Sequence, residues 1–151
     1  MLLLVRTLHV LASIWFTCGI AGYVVARMAA LKTGNLGSID ALVGMMTRFK
    51  NLMIRPGGTL LVIFGLWTAY YEAWPEFSVH AIIVLIIFIP FMVMTVTGLH
   101  KLEAASAEAV KSGSVTPELS AAMRDRRLMI GDYGVSILTI LFLLLMLLKP
   151  A

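Results

Sequence analysis

The chain has 151 residues, of which 60% are hydrophobic and 13% charged, against about 45–50% and about 25% in an ordinary soluble domain. That balance excludes a soluble monomer and makes a bilayer the solvent of one domain's worth of chain. A single cysteine, Cys18, excludes an internal disulfide and a cysteine-based zinc site. The net charge of +4 is spread between apolar runs rather than gathered with aromatics, which argues against a nucleic-acid surface.

The run beginning Met1-Leu-Leu-Leu-Val-Arg6 has no basic region ahead of it and no good cleavage site, so a retained helix is expected. Apolar stretches at 2–26, 56–73, 78–99 and 130–148 approach the length of about 20 residues that crosses hydrocarbon. Lipid offers no hydrogen bonds to open backbone, so each stretch must be helical. An all-α polytopic membrane protein follows, a four-transmembrane-helix bundle forming a single transmembrane domain. Amphipathic cytoplasmic helical extensions are expected within 27–55 and 100–129.

Local signals mark the ends. Pro56 suits a first helical turn, Trp74-Pro75 breaks the second span, and Ser78 can cap the third. Ser38 to Ile54 predicts a surface helix, and Thr116-Pro117-Glu118 starts a helix that extends over 117–127. Pro90, in mid-span, removes one backbone hydrogen bond and predicts a kink.

Lys and Arg stay on the cytoplasmic side of a membrane. Of the 12 in this chain, all but Arg6 and Lys149 fall in the two long connections. Both termini are therefore expected outside a bacterial inner membrane, with Trp67, Tyr70, Tyr71 and Trp74 as an outer aromatic belt.

Each span offers polar or small residues at helical spacing. In the first, His9, Ala12, Trp15, Gly19, Gly22 and Ala26 share one stripe; in the second, Gly58, Leu61, Gly65, Thr68 and Glu72 do; in the fourth, Asp132, Ser136 and Thr139. Small residues let helices approach, so these stripes are expected to face the bundle interior. An ionisable group there is a functional candidate. His9 and His80 both fall toward the outer end, and two imidazoles from different helices could ligate the iron of a b-type haem. Gly19 or Gly22 would then admit a porphyrin edge. The plainer alternative is a pair of interfacial histidines bonded to water or a carbonyl.

Toward the cytoplasm lie Arg48, Arg55, His100, Arg127 and Asp132. Asp132 is embedded enough to need a partner, and Arg55 matches it in depth, so a structural Arg55–Asp132 ion pair is expected. A proton or quinone site is the functional alternative. The 10 methionines lack a repeated metal spacing and read as packing filler.

Leu8-His9-Val-Leu-Ala12, Arg55-Pro-Gly-Gly-Thr59, Thr116-Pro-Glu118 and Leu145-Met-Leu-Leu-Lys-Pro150 together resemble the bacterial integral membrane family known as domain of unknown function 2269, over nearly the whole chain. More distantly, His9 and Arg48-Phe-Lys-Asn-Leu-Met-Ile-Arg-Pro-Gly57 are similar to the haem-binding four-helix membrane protoporphyrinogen oxidase and to the copper-resistance membrane domain. The oxidase opens its third helix with His-x-Lys and needs that lysine; here the positions read His80-Ala81-Ile82. The resemblance thus implies a haem position at His9 without implying the oxidase activity.

Two functions follow as expectations: a haem-handling or electron-transfer membrane protein binding a b-type haem with His9 as axial ligand and His80 as its candidate partner, or a non-catalytic accessory subunit. The second would pack into a larger membrane complex or a homo-oligomer. Membrane lipids are partners in either case, and the sequence marks no catalytic residue.

Overall fold

A computed structural model describes residues 2–72 and 75–147, with the side chains at 72–78, 80, 81, 84 and 145–147 outside that description. Its elements are α1 (Leu2–Lys32), α2 (Leu36–Phe49), a π turn (Lys50–Ile54), α3 (Arg55–Glu72), α4 (Pro75–Ser112), α5 (Pro117–Met123) and α6 (Arg126–Leu147). No strand occurs among the described residues. Four of these stretches are long and apolar enough to cross a membrane, the architecture of a four-helix membrane bundle.

Several helices outrun their expected limits. Rather than starting at a Ser78 cap, α4 begins at Pro75 and runs 38 residues, with Pro90 inside it. The Trp74 part of the expected break lies outside the described residues. At its start α2 is capped by Asn35, whose side chain accepts from the Ser38 N–H at 3.0 Å, so Ser38 is inside the helix. Thr116 does cap α5 as expected, accepting from Leu119 N at 3.2 Å. The extension over 117–127 is interrupted, however: α5 ends at Met123, and Asp125 caps α6, its Oδ1 accepting from the N–H groups of Arg127 (2.7 Å) and Leu128 (3.3 Å).

Pro56 does not open a separate helix. It falls two residues after the π turn, which closes with the Arg55 N–H reaching back to the Lys50 carbonyl. Proline crowds the carbonyl four residues before it, and a widened turn relieves that crowding without breaking the helix. Residues 36–72 are thus one continuous helical run.

In packing, α1 lies along α3, and α4 lies along α6. Phe16 of α1, Phe88 of α4 and Phe142 of α6 tie the two pairs together, with ring centroids 5.9 and 6.4 Å apart along the chain of three. At one end, here termed the broad end, α2 and α5 cover the bundle. The amphipathic stripe Ile39, Val43 and Met46 of α2 is buried there with Leu99, Leu102, Leu119 and Leu128. Burying each of these side chains contributes roughly 1.5–3 kcal/mol, so the broad end holds the hydrophobic core. Between the spans themselves the chain relies on close approach, since hydrocarbon gives helices no hydrophobic reason to associate.

Candidate functional site

The buried face of α1 runs Phe16, Ile20, Tyr23, Arg27, Ala30, at steps of three and four. It brings a phenol and a guanidinium, one turn apart, to α6. Arg27 Nε stands 2.8 Å from Asp132 Oδ2, with both side chains nearly buried. The N–H is not aligned on that oxygen, so the contact is one of charge rather than a directed hydrogen bond. Tyr23 donates its hydroxyl proton to the other oxygen, Oδ1, at 3.1 Å. Arg27 Nη2 donates to the Met123 carbonyl at 2.9 Å, at the end of α5.

A second pair lies beside the first. The π turn directs Lys50 inward, where it is 5% exposed, and its Nζ meets Glu103 Oε1 of α4 at 2.8 Å. Thr47 donates its hydroxyl to the same oxygen at 2.5 Å, and His100 Nδ1 lies 3.0 Å from Oε2. Glu103 sits on α4 four residues past Leu99, beyond the apolar stretch 78–99. Burial alone would raise its pKa, but the bonds from Lys50, Thr47 and His100 prevail and hold it below the ordinary glutamate value. Nearby, Ser106 donates to Asp40 Oδ1 at 2.9 Å, linking α4 to α2.

Between the two ion pairs is a cavity of about 20 Å3, bordered by Ile20, Tyr23, Lys50, Thr95, Leu99 and Asp132. That volume is about that of one water, far below the roughly 300–1,000 Å3 of a ligand pocket. What the arrangement does chemically is neutralise charge: buried Arg27 and Lys50 each face a carboxylate, and helices distant in sequence are held in one register.

The expected Arg55–Asp132 pair is therefore corrected. Asp132 needs and has an arginine, but it is Arg27; Arg55 is exposed at the start of α3. Depth along the chain suggested Arg55, whereas the helix rotation that buries Tyr23 turns Arg27 to the same side. Of the other expected neighbours, His100 joins Glu103 and both Arg48 and Arg127 are exposed, so the five do not form one cluster. Tyr23, Lys50 and Glu103 were not anticipated from the sequence. The four-residue step from Tyr23 to Arg27 was the available signal for the first.

His9 does lie on the inner side of α1, against α3. A Cβ placed on Gly65 would fall 3.0 Å from His9 Cε1, so the missing side chain is the seat of the imidazole. Trp15, expected on the same stripe, is 47% exposed, because the buried stripe passes through Phe16. Nor do Gly19 and Gly22 leave room for a porphyrin edge: Met53 and Ile54 fill the space over the first, and the Phe49 ring that over the second. The side chain of His80 lies outside the described residues. Around His9 the described residues form a helix contact with α3.

Gly58, Leu61 and Gly65 turn toward α1 as expected, and Thr139 is buried with its hydroxyl on the Val135 carbonyl. Glu72, on the same expected stripe, has its side chain outside the described residues. No curated protein and no solved structure matches the chain. Residues 3–150 match the family described as predicted integral membrane protein DUF2269, and the chain belongs to that family.

Proposed function

We propose that the chain is a non-catalytic accessory subunit that packs, through α3, into a larger membrane assembly. The observation that supports this most directly is the isolation of α3. Among the described residues, only α1 and the π turn pack closely on it. Its opposite face, Thr59, Ile63, Leu66 and Tyr70 at steps of four, three and four, is exposed, with Tyr70 at 82%. Helices of membrane assemblies meet through such lateral faces, and a small protein with little mass outside the membrane has few other surfaces to offer. The proposal includes a bacterial inner membrane with the broad end cytoplasmic and both termini outside, supported by the 12 Lys and Arg, nearly all of which lie in the long connections.

The test is Leu66→Cys in a Cys18→Ser background, cross-linked in native membranes and then purified in mild detergent. Cross-linked species heavier than the protomer, at fixed stoichiometry, are expected. A lone monodisperse protomer without cross-links overturns the proposal. The haem-handling reading, supported by the resemblance at His9, is tested in the same preparation by a reduced-minus-oxidised spectrum. A b-type spectrum that His9→Ala abolishes would put that reading in its place.

A further inference from the structure

The corner where α4, α5 and α6 meet carries Lys101, Arg124, Arg126 and Arg127, all exposed. Its geometry is set by the α4–α6 seam. A Cβ on Gly98 would fall 2.7 Å from Leu128 Cβ, and one on Gly131 would fall 2.7 Å from the Thr95 backbone nitrogen. One helix ascends as the other descends, so the two are antiparallel. Lys101, about one turn past Gly98, therefore stands level with the residues just before Leu128. Asp125, the carboxylate at this level, feels the charges of both Lys101 and Arg127. Its Oδ1 caps α6, and its single negative charge is outnumbered by the four cations around it.

Below the cations both helices present apolar stripes. On α6, Arg126 is followed at steps of four, three, four and three by Ile130, Tyr133, Ile137 and Ile140, all exposed. On α4, Lys101 is followed inward by Thr97, Val93, Ile89 and Ile86, also exposed. A cationic head above an apolar track matches an amphiphile with an anionic head. A free anion or a nucleic acid would use only the upper part.

We infer that this corner binds the headgroup phosphate of an anionic membrane lipid, whose acyl chains run along the exposed stripes of α4 and α6. Ammonium supplies a point charge and guanidinium a planar fork, the two modes of phosphate recognition.

The test is native mass spectrometry of the full chain in neutral detergent with added phosphatidylglycerol, phosphatidylcholine or inorganic phosphate. Retention of phosphatidylglycerol over phosphatidylcholine is expected. Combined Lys101→Gln, Arg126→Gln and Arg127→Gln should reduce that preference about tenfold or more. The control, combined Lys32→Gln and Lys111→Gln, removes exposed cations elsewhere and should keep it. Circular dichroism checks that the variants are helical; where the triple variant is not, Arg126→Gln alone should show a smaller loss in the same direction. Equal retention of the two lipids, equal retention of phosphate alone, or an equal loss in the control overturns the inference.

Discussion

The guanidinium of Arg27 faces the Asp132 carboxylate at 2.8 Å and the Met123 carbonyl at 2.9 Å, so one side chain of α1 holds both α6 and the end of α5. Breaking such a pair from one side leaves a buried charge uncompensated, at a cost of about 3–5 kcal/mol. Arg27→Met and Asp132→Leu should each lower unfolding stability in detergent by that order. The double variant should lose markedly less than the sum, because no charge is stranded. Additive losses in the double-mutant cycle would show that the pair is not coupled.

Arg55, by contrast, is exposed. Arg55→Gln should change stability by less than about 0.5 kcal/mol, measured in the same denaturation assay. A loss as large as that of Arg27→Met would restore Arg55 as the partner of Asp132.

How much of this was legible beforehand differs by level. The four spans, the Thr116 cap and the demand of Asp132 for a cation follow from hydropathy, local capping and the energetics of charge in lipid. The choice of Arg27 does not, because it depends on the rotation of α1. That rotation is set by close approaches such as Gly65 to His9, and small residues occur on more than one face of α1. Of the sequence stripe, Ala12, Gly19 and Ala26 are buried and only Trp15 is exposed; the buried face is wide enough to take in Phe16, Tyr23 and Arg27 as well. Lys50 escaped notice for a related reason: a π turn shifts helical register, and ordinary periodicity does not announce it.

Glu103 gives a pH dependence of known sign. Its folded pKa is held below the ordinary value of 4.5 by Lys50, Thr47 and His100. The stabilisation it contributes is present above that value and is lost as pH falls through the lower folded pKa. The wild type should therefore lose stability on acidification below about pH 4.5, and Glu103→Gln should lose less over that interval. Parallel acid profiles would show that Glu103 is not held by these bonds.

At the α4–α6 seam, a Cβ on Gly131 would sit 2.7 Å from both the nitrogen and the hydroxyl of Thr95. Gly131→Val should force the helices apart and destabilise by about 1–3 kcal/mol, whereas Gly44→Ala, on an open face of α2, should not. Chemical denaturation of the two variants side by side compares them directly. Equal stability would mean that the seam accommodates a side chain.

The helical run from Leu36 through the π turn to Glu72 contains no loop. At about 1.5 Å per residue it is a rod reaching from the broad end to the far side of the bundle. A hinge in a loop would absorb a displacement of α2; a rod transmits it. A partner that tilted α2 at the broad end would swing the exposed face of α3 through the lipid, with the Lys50–Glu103 contact as the fulcrum.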